Sequence, residues 1–164
     1  MNATIVIYGS STGTCEAIAE KIASKLGCKA LNVQELTADV VAANQNLILG
    51  TSTWGAGELQ DDWYDGLKTL QDADLNGKTI ALFGCGDCST YSDTFVGGMG
   101  ELYNGIKNSG AKFIGAVETD GYTFDDSEAV IDGKFIGLPL DDINEDDKTD
   151  ARIEAWLAAI KSEL

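Results

Sequence analysis

The chain has 164 residues, 27 acidic and 11 basic, with no histidine and a formal charge of −16. That balance argues against nucleic acid and against anionic membrane surfaces, since both bind through basic side chains. At 44% hydrophobic residues it fits one globular domain spanning 1–164, and no apolar run nears the roughly 20 residues of a membrane span. An acidic face suits a basic protein partner met by electrostatic steering, although solubility alone would give the same balance. Without histidine the usual general base and the commonest metal ligand are missing. No basic segment precedes the first short apolar run, so no signal peptide is expected, and the cytoplasm is the expected compartment.

"TIVIY" (Thr4–Tyr8) reads as a strand and "TCEAIAEKIASKL" (Thr14–Leu26) as a helix with apolar residues at helical spacing. Between them lies "GSSTG", a hydroxyl-rich loop opening onto a helix N-terminus, which is a site for an anion. A nucleotide triphosphatase loop would read GxxxxGK followed by Ser or Thr. Here the Lys is absent and the glycines are differently spaced, so the expected ligand is a phosphate held by neutral donors. Further strands are expected at Ala30–Val33, Asn46–Gly50, Thr79–Phe83 and Lys112–Ala116. Helices are expected at Ala38–Ala43, Asp61–Leu70, Thr94–Ser109 and Thr149–Leu164. This βα alternation predicts a parallel sheet with helices on both faces and a ligand beyond the strands' carboxyl ends. The turn-rich stretch Val117–Lys134, followed by "FIGLPL" (Phe135–Leu140), reads as an insertion interrupting the fifth strand.

In a parallel sheet the loops after the first, third and fourth strands open at one edge. They are "GSSTGTC" (Gly9–Cys15), "GTSTWGAGELQ" (Gly50–Gln60) and "GCGDCSTY" (Gly84–Tyr91). Trp54 and Tyr91, one on each of the last two, are placed to sandwich a flat ring system beside the phosphate loop.

These three loops, in this order, resemble those of the flavodoxins, and the resemblance covers essentially the whole chain. The family's phosphate loop runs Ser or Thr, any residue, Thr, Gly, any residue, Ser or Thr. Ser10, Thr12 and Gly13 meet it, while Cys15 replaces the final hydroxyl with a weaker donor. The insertion and "DGKFIGLPLD" are similar to the long-chain subgroup. The resemblance implies a three-layer α/β sandwich with a five-stranded parallel sheet of order 2-1-3-4-5. Flavodoxin is itself the type example of that order with FMN at the switch point. It further implies FMN held at its phosphate by Ser10, Ser11, Thr12, Gly13, Thr14 and Cys15, the last through its backbone N–H. The flavin ring would lie against Thr53, Trp54, Gly55, Ala56 and Gly57 on one side and Cys85, Gly86, Asp87 and Tyr91 on the other.

The implied function is a low-potential one-electron carrier, cycling between a neutral semiquinone and an anionic hydroquinone. Asp61, Asp62, Asp65, Asp87 and Asp93 are the carboxylates expected to lower the potential. One charge at ~12 Å with an effective dielectric constant of ~40 contributes ~0.7 kcal/mol, or ~30 mV for one electron. Implied partners are basic-faced redox proteins such as NADPH-dependent flavodoxin/ferredoxin reductases or pyruvate-oxidising enzymes, met by a monomer. A flavin-dependent quinone or nitro reductase would share fold and cofactor, but needs room for a nicotinamide that Trp54 and Tyr91 would cover.

Other readings attach to the cysteines. "CGDC" (Cys85–Cys88) has the CxxC spacing of a dithiol oxidoreductase. Thioredoxin-type enzymes place a proline opposite that motif, and the sole proline here is Pro139. A zinc site would need Cys15 and Cys28 as well, and these lack the usual paired spacing. A metal-dependent phosphoacceptor domain would need acids after the first strand, where "YGSS" has none. In the flavodoxin reading the Gly55–Ala56 peptide flips so that its carbonyl meets the protonated flavin N5, which a glycine at positive φ allows. Gly55→Asn is therefore expected to lower the semiquinone maximum in a redox titration, and an unchanged maximum would count against the flip.

Overall fold

In the computed structural model, which describes residues 2–54 and 57–164 (Trp54 by its backbone alone), the apolar runs form the parallel strands of a central sheet, to which one short antiparallel strand is added. The elements are β1 (Thr4–Gly9), α1 (Thr14–Leu26), β2 (Lys29–Asn32), α2 (Ala38–Ala43), β3 (Asn46–Trp54), β4 (Glu58–Leu59), α3 (Trp63–Asp72), β5 (Thr79–Cys85), α4 (Gly97–Ile106), β6 (Lys112–Ile114), β7 (Val117–Glu118), β8 (Val130–Ile131), β9 (Lys134–Phe135), β10 (Leu138–Leu140) and α5 (Asp146–Ile160). The central path runs β10-β5-β3-β1-β2. Since β6 also pairs with β5, this is order 2-1-3-4-5 with a fifth strand in two pieces.

β1 and β5 are buried at every residue, as expected for central strands covered on both faces. Strand alternation then divides the core. Ile5, Ile7, Leu49 and Leu82 pack with Trp63, Leu70, Met99 and Leu102 from α3 and α4. Val6, Ile48 and Phe83 pack with Ile18 and Ile22 of α1 and with Ile153, Trp156 and Ile160 of α5.

The fifth strand breaks where the insertion was expected. β6 aligns with Thr79–Ala81 of β5, and β10 resumes alongside Phe83–Cys85. The first piece stops at Ile114 rather than Ala116 because Gly115, at φ +87, turns the chain out of the sheet. The excursion forms an antiparallel sheet of order β7-β9-β8, which takes Phe135 out of the expected second piece. Its rings Tyr122, Phe124 and Phe135 surround Phe95, with centroids 5.9 to 6.2 Å away. Backbone bonds from Asp125 and Asp126 to the Ser92 carbonyl and from Phe95 to the Asp126 carbonyl tie the insertion to the segment ahead of α4.

Helix α4 begins at Gly97, three residues later than the pattern suggests. A 3₁₀ turn at Ser92–Thr94 comes first, and Val96 takes a left-handed conformation at φ 46. That geometry is costly for a β-branched residue. Gly97 then meets the Gly57 backbone so closely that a Cβ would stand 2.8 Å from the Gly57 Cα.

Trp63 joins α3 to the sheet. It is fully buried, and its indole N–H donates to the Gly50 carbonyl at 2.8 Å. Trp63→Ala is expected to cost about 3–5 kcal/mol of unfolding free energy, measured by urea denaturation of the cofactor-free protein.

Candidate functional site

Four strands, β1, β3, β5 and β10, end at one edge of the sheet, and their loops enclose a cleft of about 200 Å³. Thr12 and Thr14 reach it from the β1–α1 turn, and Ser52 and Thr53 from β3. Cys85, Gly86, Asp87, Tyr91 and the Thr94–Val96 segment follow β5, while Asp142 and Ile143 follow β10.

At one end the chain turns into α1 through Gly13, whose φ of 92 suits only glycine without strain. Ser10 Oγ accepts from the Gly13 N–H at 3.1 Å, and Ser11 Oγ accepts from Gln60 Nε2 at 3.0 Å. Gln60 is buried and also bonds Asp62, so it pins the loop from beside β4. Ser11, Thr12 and Gly13 face solvent. No side chain caps α1, so its N-terminal partial positive charge is directed outward. Neutral hydroxyls and amides, with no cation, make up the donor set here, which fits a phosphate that stays bound and undergoes no reaction.

Cys15 faces the other way. It is buried beneath the loop, and its thiol hydrogen-bonds with Cys85, which together with burial raises its pKa well above the usual thiol range. The thiol therefore does not face an anion at the loop, and any role there falls to its backbone N–H.

The opposite wall is the loop after β5. Asp87 folds its carboxylate back onto the amides of Ser89 (3.1 Å) and Thr90 (3.0 Å) and accepts from Asn144 Nδ2 at 2.7 Å. The Thr90 amide leads the hydrogen bonds that hold its carboxyl below the ordinary aspartate value. The Asp87 carbonyl accepts from the Tyr91 N–H at 2.9 Å, and Tyr91 keeps 46% of its surface exposed at the cleft mouth. The CGDC motif comes apart in this loop. Cys85 is paired with Cys15, while Cys88 gives both its N–H (2.9 Å) and its thiol to Asp141. Burial and the Asp141 bond push the Cys88 thiol up to about 11, opposite to the lowered pKa of an activated dithiol.

The cleft brings together Thr12, Thr14, Thr53, Cys85, Gly86, Asp87 and Tyr91. Ser10 and Ser11 bond within the adjoining loop, and Gly57 is buried against Thr94 and Gly97. The Trp54 side chain, Gly55 and Ala56 lie outside the described residues. Asp61, Asp62 and Asp65 surround a separate hollow with Val33 and Gln34, and Asp93 sits in the 3₁₀ turn. The sequence reading passed over Ser52, Thr94, Phe95, Val96, Asp142 and Ile143. The last two follow the fifth strand's carboxyl end, and the rule that ligands bind at that edge points to "DDIN".

A sequence model of a protein family described as flavodoxin matches residues 6–156. Flavodoxin 1 of Azotobacter vinelandii is 47% identical over 166 aligned residues, covering 97% of this chain and 95% of that protein. A flavodoxin of a Nostoc species is 44% identical over 162 residues, with 97% and 95% covered. Among solved structures, Fusobacterium nucleatum flavodoxin bound to flavin mononucleotide aligns with a TM-score of 0.93 at 33% identity, over 100% of this chain and 99% of that one.

The cysteine geometry has a direct chemical readout. With its thiol at about 11, Cys88 is expected to be alkylated at pH 8 about 100-fold more slowly than an unperturbed cysteine, because the thiolate is the reacting species. Peptide mapping after timed iodoacetamide treatment measures this, and fast alkylation of Cys88 would contradict the Asp141 bond.

Proposed function

The chain belongs to the flavodoxin family, and on that premise we propose that residues 1–164 act as one domain holding FMN in the cleft at the strands' carboxyl edge. It is an FMN-based electron carrier that meets other redox proteins; the enzymatic alternative of a quinone or nitro reductase falls, since flavodoxins are electron-transfer proteins. One observation carries the placement: a neutral hydroxyl loop at a helix N-terminus and an exposed tyrosine ring converge on a single cleft.

FMN supplies the electron chemistry when bound, and the protein supplies binding, orientation and field. In this reading Ser10, Ser11, Thr12, Gly13, Thr14 and the Cys15 amide hold the phosphate, with α1 contributing the favourable end of its dipole. Thr53, Trp54, Gly55, Ala56 and Gly57 flank the ring system on one side. Cys85, Gly86, Asp87 and Tyr91 flank it on the other, with Tyr91 offering a ring face. Asp87 and Asp142 border the cleft, and their charges oppose added negative charge, favouring a low potential. Among the described residues that line the cleft there is no histidine or lysine. The net charge of −16 selects basic-faced partners, of which NADPH-dependent reductases and pyruvate-oxidising enzymes are our proposals, for a monomer working in the cytoplasm. Among the described residues no helix is long and apolar enough to cross a membrane.

Purified protein is expected to be yellow, to take up FMN when stripped, and to reduce in two separate one-electron steps under anaerobic titration. A colourless protein that takes up no FMN would overturn the reading. Tyr91→Ala is expected to weaken FMN binding by about 0.5–1.5 kcal/mol, the range for one aromatic stacking contact, as read from fluorescence quenching.

A further inference from the structure

Asp141 immediately follows β10 and is 0% exposed. A buried carboxylate persists only where its oxygens are bonded. Here Oδ1 accepts from the backbone N–H groups of Ile143 (3.0 Å) and Asn144 (2.9 Å). Oδ2 accepts from the Cys88 N–H (2.9 Å) and from Asn144 Nδ2 (2.9 Å). The Cys88 thiol is a further donor. Asn144 extends the network by donating from Nδ2 to Asp87 as well.

These donors belong to two segments far apart in sequence. One is the loop that carries Asp87 and Tyr91; the other is the turn that carries Asp142 and Ile143, and both line the cleft. The carboxylate lies directly behind the wall they share. Acids adjoin it: Asp142 follows it in the chain, Glu145 donates its backbone N–H to the Asp141 carbonyl, and Asp87 shares the Asn144 amide. Arg152 is occupied by Glu145, by the Gly121 carbonyl and by the Tyr122 ring, whose centroid is 4.0 Å from the guanidinium carbon. Among the described residues no cation forms a salt bridge with Asp141. The charge is held by dipoles alone, with no countercharge bonded to it, so its net charge persists beyond the clamp, and burial keeps salt ions from direct contact with it.

We propose that Asp141 is the positioning residue of the cofactor cleft, locking the Tyr91 loop to the Asp142–Asn144 turn and fixing an unpaired negative charge behind the wall they form. Burial raises its pKa, but the Cys88 thiol, the amides and Asn144 outweigh that and leave it below the ordinary aspartate value, so it is ionised at neutral pH. The inference rests on the FMN reading of the same cleft. It differs from a purely structural role, because the clamp sets affinity while the charge sets potential.

Two variants separate those effects. Asp141→Asn removes the charge and places an amide NH₂ where N–H donors converge. Asn144→Ala removes the two side-chain bonds and keeps the charge. Cofactor-free protein of each is titrated with FMN, and the midpoints of the loaded proteins are measured. Asp141→Asn is expected to bind FMN at least tenfold more weakly. Its more negative midpoint should rise by a three- to tenfold change in equilibrium constant, a tenfold change being about 59 mV for one electron. Asn144→Ala should bind about threefold more weakly with unchanged midpoints. In cofactor-free protein, Cys88 of Asp141→Asn should alkylate at least tenfold faster than in wild type.

FMN affinity of Asp141→Asn within twofold of wild type would overturn the proposal, as would weaker binding with unmoved midpoints. If Asp141→Asn does not fold, unchanged affinity in Asn144→Ala overturns it. If wild-type protein takes up no FMN, the functional reading is what fails. The alkylation of Cys88 then still decides whether the clamp exists.

Discussion

The pairing of β5 with both halves of a broken strand is the constraint on which the rest of the structure depends. β5 is buried throughout and pairs with β3 on one side, while β6 and β10 share its other edge at successive registers. That register brings Leu140 level with Cys85, and the Gly86 N–H donates to the Leu140 carbonyl at 2.9 Å. The turn after β10 is thereby delivered beside the loop after β5. A strand broken one residue earlier or later would reverse which side chains face the core and would carry Asp141 away from Cys88.

The insertion is part of the same arrangement. Its aromatic residues close around Phe95, and its backbone holds the segment ahead of α4, where Val96 keeps a left-handed conformation. Strain of that kind persists only where surroundings over-determine it, and the insertion supplies much of that surrounding. The segment lines the cleft, so a stretch resembling a surface excursion in sequence buttresses the site from behind.

The fold was legible because its signals are local. Apolar runs marked each parallel strand of the main sheet, though not the two-residue β4, and helices α1 and α2 fall at their expected residues. Helix α4 starts three residues later than its sequence pattern, since nothing local announces that Thr94–Val96 will be spent on a turn and a strained cap. The loops could be placed at one edge, but Asp141 was invisible. Its significance comes from partners 53 residues away, and an aspartate after a short apolar run otherwise reads as a solvated turn. The CxxC spacing was uninformative for the same reason: spacing says that two thiols can meet, and here each sulfur has a stronger claim on it from elsewhere in the fold.

The composition of the anion loop has a physiological consequence. In the proposed site every group around the FMN phosphate would be a hydroxyl or a backbone amide, and the chain has no histidine, so nothing in that cradle would change charge between about pH 5 and 8. The one titration left in that interval is the second ionisation of the phosphate itself, near a pKa of about 6. On that reading, any change in FMN retention as the pH falls would follow the phosphate's own ionisation, because the donor set around it stays the same.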